Sequence, residues 1–478
     1  LPGITRAEQF GVSTVSHQFH PTALREYDIR GIVGESLTQA DARAIGRSFG
    51  TVVRRAGGQR VALGRDGRVS SPALAAAVAD GLMMAGCEVI DVGLGPTPML
   101  YFTVFELGAD AGLMVTGSHN PPNWNGCKML LKDRPFFGAD IRNLGELAAR
   151  GDWETGSGSA RTLFIMDRYV EALAADFRGP KSGDRPFTIA WDCGNGAAGP
   201  VVERLVRILP GTHHLLFTDV DGNFPNHHPD PTVEANLADL KRTVLERGCD
   251  FGVAFDGDAD RIGAVDGQGR VVWGDQLLAI LAEPVLKDMP GATVIADVKA
   301  SQALFDRIAE LGGQPLMWKT GHSLIKAKMK EVHAPIAGEM SGHIFFAHRW
   351  HGVDDAILGA VRLIEAVTAA GRSLTALKDA MPAMINTPEL RFQSSEDRKF
   401  AVVAEVLARL KQAGARVDET DGARVMRPDG WWLLRASNTQ DVLVARAEAS
   451  NAAALDRLRA ELVEQLALSG VAAATVGH

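Results

Sequence analysis

Val61-Ala62-Leu63-Gly64-Arg65-Asp66 is a short apolar run that ends on a carboxylate, and the arrangement returns as Ile189-Ala190-Trp191-Asp192 and Val294-Ile295-Ala296-Asp297. Each run is followed by a helix-like stretch, a glycine (Gly86, Gly211, Gly312) and a further apolar run. This is β-α-β grammar written three times. The spacing of the repeats suits three similar α/β domains rather than a solenoid. In each segment an apolar run (111–115, 250–255, 334–337) leads into a polar, Gly-containing loop (116–122, 256–261, 338–343). Ligands of open α/β sheets sit at the carboxyl ends of strands, so three such loops are expected to converge on one cleft.

The tail is different. A strand, a helix over 397–412, three short strands, a strand at 442–448 and a helix over 452–468 make an α+β pattern. The expected fold is three topologically similar α/β domains plus a smaller C-terminal α+β domain around a central cleft. The expected boundaries are 1–165, 166–270, 271–383 and 384–478.

Composition agrees with a multidomain globular chain: 478 residues, 46% hydrophobic and 23% charged. The net charge of −8 argues against nucleic-acid or anionic-membrane partners. The four cysteines lie apart without a CxxC, which makes a reduced, cytoplasmic protein the expectation. Leu1–His20 lacks a basic start followed by an apolar core, so no signal peptide is expected.

The loops carry the chemistry. Residues 114–122 read Met-Val-Thr-Gly-Ser-His-Asn-Pro-Pro and offer Ser118 on what is expected to be an exposed loop, a hydroxyl able to carry a phosphoryl group. The surroundings are not a G-x-S-x-G elbow, so a serine esterase is poorly supported. A plain serine-capped turn is the competing reading. Residues 256–261 read Asp-Gly-Asp-Ala-Asp-Arg. On an extended loop the alternate Asp256, Asp258 and Asp260 would face one way and grip a hard cation such as Mg²⁺. An EF-hand fails, because Arg261 and Gly267 stand where it needs Gly and Glu. A phosphatase using the first aspartate as nucleophile remains a competitor. Arg261 is read as reaching a phosphate or pairing with an aspartate of its own loop.

Gly338-Glu339-Met340-Ser341-Gly342-His343 offers a carboxylate, a hydroxyl and an imidazole, groups suited to sugar hydroxyls. Arg435, Ser437, Asn438 and Thr439 have the make-up of a phosphate clamp, a forked cation with hydroxyl and amide donors. His227 and His228 sit in a Pro-rich turn and are read as loop residues rather than metal ligands.

Taken together the motifs resemble the α-D-phosphohexomutase family, most closely its bacterial phosphomannomutase/phosphoglucomutase branch. The match spans nearly the whole chain in order. It runs from Tyr27-Asp28-Ile29-Arg30-Gly31 through the Ser118 loop, Asn125-Gly126-Cys127-Lys128, Asp192-Cys193-Gly194-Asn195-Gly196, Gly222-Asn223-Phe224-Pro225 and the aspartate loop. It continues through Lys319-Thr320-Gly321-His322 and the Glu339 loop to Arg435-Ala436-Ser437-Asn438-Thr439.

The resemblance implies a phosphoserine at Ser118, with Mg²⁺ held by Asp256, Asp258, Asp260 and that phosphoserine. It implies that Arg30, His119 and Lys128 surround the transferring group and assist proton transfer. Tyr27, Lys299 and His322 would contact substrate, and Glu339 and Ser341 would bind the sugar 3- and 4-hydroxyls with His343 close by. Arg435, Ser437, Asn438 and Thr439 would hold the phosphate that is not reacting.

The implied activity is reversible phosphoryl transfer between the 1- and 6-positions of a hexose phosphate through a bound hexose 1,6-bisphosphate, in a monomer or dimer. Phosphoglucosamine mutase, a Mg²⁺-dependent sugar phosphatase and a non-catalytic sugar-phosphate binder are the alternatives. Met340 and Thr116-Gly117 favour the hexose branch. Ala259 stands where many relatives have Gly. Asp441, in the Gln440-Asp441 pair after the clamp, is expected to bring negative charge near a phosphate site.

Overall fold

The computed structural model describes residues 16–180, 186–438 and 440–472. Most of Leu1–His20 and the clamp residue Thr439 lie outside the described residues. Among the described residues the strands form four sheets.

The first three sheets share a core of four strands in one order. In the first, Arg60–Arg65 lies between Glu88–Leu94 and Ala111–Val115, parallel to both, and Trp124–Leu131 adds antiparallel to Ala111–Val115. The second repeats this with Thr188–Asp192 between Thr212–Leu216 and Phe251–Phe255, then antiparallel Ile262–Asp266. The third does so with Thr293–Asp297 between Gln314–Trp318 and Ile336–Gly338, then antiparallel Ile344–Phe346. Each expected strand pattern is therefore present, and the strand-ending Asp192 and Asp297 close the central strands of their sheets. Parallel central strands covered on both faces read as continuous apolar runs, which is why these segments were legible.

The fourth sheet is antiparallel, in the order Ile385–Asn386, Val442–Ala449, Gly430–Ala436, Ala423–Arg427, Val417–Asp418. Helices Glu396–Gln412 and Ala452–Leu468 cover one face through an apolar cluster that includes Val406, Trp432, Leu458 and Leu462. Val442–Ala449 is buried along its whole length, because its other face grips the third domain. Arg424 donates to Val298 O at 2.7 Å and Ala300 O at 2.9 Å, and its guanidinium lies 3.8 Å over the Trp431 ring. Ser301 Oγ donates to Glu448 Oε1 at 2.9 Å.

One apolar cluster runs through helix Thr97–Glu106, helix Met166–Asp176, the second sheet and the third-domain helices. Helix Ala356–Ala370 is largely apolar and buried on nearly every side, and its two buried charges are paired, Arg362 with Asp176 and Glu365 with Arg349. This shared core holds the strand ends of three domains in fixed relation. Tyr169 OH reaches across it to both oxygens of Asp355, at 2.8 and 2.9 Å. Burial pushes the Asp355 carboxyl up to about 7, against the hydrogen bonds from Leu358 and Tyr169. The folded chain keeps this proton where an unfolded aspartate, titrating near ~4, has lost it. The stability contributed by Asp355 should thus fall as pH rises from about 4 to about 7. Asp355→Asn, which cannot titrate, should flatten the decline of Tm over that window, and an unchanged slope would refute the assignment. No helix among the described residues is long and apolar enough to cross a membrane.

Candidate active site

The Ser118 loop begins where strand Ala111–Val115 ends. Asp66, at the end of the neighbouring strand, accepts from Thr116 Oγ1 at 2.8 Å and Gly117 N at 3.1 Å, and Thr116 Oγ1 in turn accepts from Ser118 N at 2.8 Å. Arg68 completes the loop. Its guanidinium, 1% exposed, donates to the carbonyls of Ser118, Asn120, Pro121 and Trp124 at 2.6–3.0 Å. Gly117 is glycine because Arg68 lies where its Cβ would be, 2.4 Å from Nε. Neither Asp66 nor Arg68 is marked by the sequence as a site residue. The only signal was the recurring strand-end aspartate.

Ser118 is 1% exposed, not on the exposed loop expected. The loop lies at the carboxyl end of an interior strand, but the second domain closes over it. Ser118 O would lie 2.4 Å from a Cβ at Gly257, so the two loops touch backbone to backbone. Ser118 Oγ donates to Asp256 Oδ2 at 3.0 Å and lies 3.3 Å from His119 Nδ1. Burial, then the charges of Arg261, Arg30 and Lys128, push the His119 imidazole well below its usual range, so it is neutral. Arg30 pairs with Asp28 at 2.7 Å and donates to Asn120 Oδ1 of the serine loop.

The aspartate loop is a tight turn rather than the extended segment expected. Ala259 takes a left-handed φ of 57°, and Asp260 N and Arg261 N both donate back to Asp256 Oδ1 at 3.1 Å. A left-handed φ suits glycine better than the alanine found here. The turn still converges the carboxylates: ligand oxygens of Asp256, Asp258 and Asp260 lie within 4.8 Å of one another, all fully buried. Lys128, 3% exposed, donates to Asp258 Oδ2 at 2.7 Å and to Asp260 Oδ2. Thr97 Oγ1 donates to Asp258 Oδ2 at 2.6 Å.

Asp258 Oδ1 accepts no hydrogen bond, and Asp260 Oδ1 meets only His343 Nε2, at 3.3 Å. Burial, then the Asp258 and Asp260 charges, raise the Asp256 carboxyl well above its ordinary range. An orphaned carboxylate oxygen on an all-oxygen donor set fits a hard divalent cation.

The third-domain loop is bonded directly to this turn. Ile262 N donates to Gly342 O at 3.0 Å, and His343 Nε2 stands 3.3 Å from Asp260 Oδ1. His343 Nδ1 faces Glu339 Oε2 and Ser341 Oγ, each at 3.0 Å. Burial opposes the imidazolium, but Asp260 and Glu339 outweigh it and raise His343 to about 9. Arg261 Nε lies 3.4 Å from His343 Nε2, and no aspartate of its own loop pairs with it among the described ion pairs.

Glu339 Oε1 accepts from Gly321 N at 2.7 Å. Gly321 has φ 135° and would place a Cβ 2.5 Å from the Tyr27 ring, so the close approach of Tyr27 requires glycine. Asp297, the strand-end aspartate of the third repeat, ties these segments together, accepting from Met340 N at 3.2 Å and Thr320 Oγ1 at 3.3 Å.

A second cluster lies at the junction of the first, third and fourth domains. Tyr27 OH donates to Thr320 O at 2.9 Å and accepts from Asn438 Nδ2 at 2.5 Å. Arg435 Nε pairs with Asp421 Oδ2 at 2.8 Å, and the same oxygen accepts from Thr320 N at 3.1 Å. Ser437 Oγ accepts from Gln440 N at 3.2 Å. Lys299 pairs with Glu389 at 3.4 Å, and its charge also acts on Asp297 and Glu339. The Asp441 side chain is 62% exposed, with Oδ1 4.0 Å from Nζ of buried Lys399, which also holds the turn by Gln440 O at 3.1 Å. His227 spends Nε2 on Asp192 at 3.0 Å and turns Nδ1 to its neighbour's carbonyl, as a loop residue.

Family comparisons agree with this geometry. Models of phosphoglucomutase/phosphomannomutase α/β/α domains I, II and III match residues 21–152, 167–269 and 273–384, and the C-terminal domain model matches 389–465. The chain is 44% identical over 443 residues to the phosphomannomutase/phosphoglucomutase of Pseudomonas aeruginosa, covering 92% of this chain and 95% of that protein. It is 42% identical over 439 residues to the phosphoglucomutase of Neisseria gonorrhoeae, covering 91% and 94% respectively. The crystal structure of a phosphoglucomutase/phosphomannomutase family protein from Burkholderia thailandensis superposes with a TM-score of 0.90 at 42% identity, covering 96% of this chain and all of that one. With matching domains in order, one set of converging loops and full-length relatives, the chain belongs to the phosphoglucomutase/phosphomannomutase family of sugar-phosphate isomerases.

Proposed function

We propose that the protein isomerises hexose 1-phosphates and 6-phosphates of glucose and mannose by way of a phosphoserine at Ser118 and a bound hexose 1,6-bisphosphate. The observation that carries the reading is Ser118 Oγ standing 3.0 Å from Asp256 Oδ2, inside a buried junction of three loops. A hydroxyl placed against a carboxylate cage, with cations around it, suits phosphoryl transfer by positioning and charge.

Ser118 carries the phosphoryl group. The sugar hydroxyl attacks phosphorus, the bond from phosphorus to Ser118 Oγ breaks, and the hydroxyl proton leaves. On balance that proton ends on the released Ser118 Oγ, while His343, held as an imidazolium between Asp260 and Glu339, stabilises charge at the sugar oxygen. Neutral His119, 3.3 Å from Ser118 Oγ, takes the serine proton when Ser118 is reloaded. Arg30, Lys128 and Arg261 supply positive charge around the group in transit. Asp256, Asp258 and Asp260 would hold Mg²⁺, which supplies charge neutralisation on the phosphoryl oxygens.

Glu339 and Ser341 read the 3- and 4-hydroxyls. Tyr27, Lys299, His322, Arg435, Ser437, Asn438 and Thr439 hold the remaining sugar and its idle phosphate. The intermediate must turn over, so this second cluster accepts either phosphate.

Glucose and mannose share the hydroxyls that Glu339 and Ser341 address. A coupled assay should therefore show kcat/KM for the two 1-phosphates within about tenfold, a gap near ~1.4 kcal/mol, with glucosamine 1-phosphate weaker. Free phosphate released without isomerised sugar would replace this reading with a phosphatase. Arg435→Ala should raise KM by about tenfold or more, since a forked phosphate contact is lost. The cooperative unfolding transition should remain, and its loss would make Arg435 a structural residue.

A further inference from the structure

Asp354 carries no motif, yet it is 0% exposed and sits directly behind the cleft. It ends the short strand Val353–Asp354, whose register places it opposite Phe345, just after His343 in the adjoining strand. Its Oδ1 accepts from Lys326 Nζ at 3.0 Å. Lys326 is itself buried, with Nζ 4.6 Å over the Tyr101 ring and 3.5 Å from its hydroxyl. Asp354 Oδ2 accepts no hydrogen bond, an expensive condition for a buried oxygen. It faces His322 Nδ1 at 3.9 Å, and the other neighbour of that nitrogen is Ser323 Oγ at 3.5 Å.

Asp354 also falls in a group with Asp260 and His343 whose ligand atoms lie within 4.8 Å. Both His343 nitrogens already face carboxylates, so that group holds a proton rather than a metal. The free oxygen of Asp354 is left for His322. Burial, then Lys326, His343 and Lys128, hold the His322 imidazole well below its usual range. A neutral ring has a single N–H, and a carboxylate facing Nδ1 selects where it sits.

We propose that Asp354, anchored by Lys326, is a positioning residue that fixes His322 as its Nδ1–H tautomer and so presents Nε2 as an acceptor to a hydroxyl of the bound sugar phosphate. Its kinetic consequence rests on the mutase reading, whereas the tautomer does not. The closing contact is a small movement of the ring toward Oδ2, which gives that oxygen its missing donor. Lys326 offers only donors. An asparagine at 354 must therefore turn its carbonyl oxygen to Lys326 and its NH₂ to His322, which converts Nδ1 into the acceptor and moves the proton to Nε2. The same inversion follows when an asparagine replaces the aspartate behind a catalytic histidine, with the geometry otherwise intact.

The experiment is ¹⁵N NMR of histidine-labelled full-length protein, with His322 assigned by its disappearance in His322→Ala. The wild type should show Nδ1–H, and Asp354→Asn should show Nε2–H. In kinetics on glucose 1-phosphate, Asp354→Asn should lower kcat/KM about tenfold. In the His322→Ala background it should cost less than about twofold, because the residue acts through that ring. A wild-type Nε2–H tautomer, an imidazolium, or full additivity in the double variant overturns the proposal. Should Asp354→Asn fail to fold, the wild-type spectrum alone decides. A wild type that turns over no sugar phosphate would sink the mutase reading and leave the tautomer standing.

Discussion

Ser118→Ala is expected to abolish isomerisation, with kcat down by at least about 10⁴-fold, and hexose 1,6-bisphosphate should not restore it. The substitution removes the contacts of Ser118 Oγ with Asp256 and His119 and nothing from the loop's framework, which Asp66, Thr116 and Arg68 build through backbone atoms and their own side chains. Folding should survive and the chemistry should not. The wild type offers the complement. A fraction of purified protein should be heavier by one phosphoryl unit, about 80 Da, on the Ser118 peptide. The group should persist, because Ser118 is 1% exposed and reaches only what enters the cleft. Protein stripped of it should be nearly inert with monophosphate alone and recover on a trace of bisphosphate. Full activity of the stripped protein without bisphosphate would show that transfer bypasses Ser118.

How far this site could be read from sequence follows from the range of its contacts. The strands were legible because a parallel strand covered on both faces must be apolar, and its end is marked by a polar turn. The C-terminal helix Glu396–Gln412 was legible for its amphipathic period. Ser118, the aspartates and Glu339 stood out because each sits in a short run of unusual chemistry. Arg68 did not: its partners are some fifty residues away and are backbone carbonyls, which leave no mark on side-chain identity. Lys326 and Asp354 escaped for the same reason, since a buried ion pair reads in sequence like two surface charges. The two local errors have one cause. Ser118 was expected to be exposed and the aspartate loop extended because each loop was considered alone. Contact between them buries the first, and the left-handed Ala259 folds the second.

The other large effect should come from the carboxylate cage. Three carboxylates with no exposure crowd together, faced by Lys128 and, at Asp260, by His343, and Asp258 Oδ1 is left without a donor. Such an arrangement is costly unless a cation completes it. Chelator-treated protein should therefore lose turnover by about 10³-fold, ~4 kcal/mol, and regain it with Mg²⁺. Ca²⁺ accepts longer, less regular oxygen shells, and should bind but support less turnover. Asp258→Asn isolates the protein's part in this. The amide keeps an acceptor for Thr97 Oγ1, and Lys128 keeps Asp260, so the loop should hold its shape. One negative charge is gone from the cage, so the Mg²⁺ concentration for half-maximal activity should rise by about tenfold or more, and kcat at saturating Mg²⁺ should stay well below wild type. Because an ion that binds only the folded form stabilises it, Mg²⁺ should also raise the Tm of the wild type more than that of the variant. Undiminished turnover in chelator, or a variant with wild-type Mg²⁺ dependence, would mean that Lys128 and His343 balance the cage and that the three aspartates serve the fold rather than the transfer.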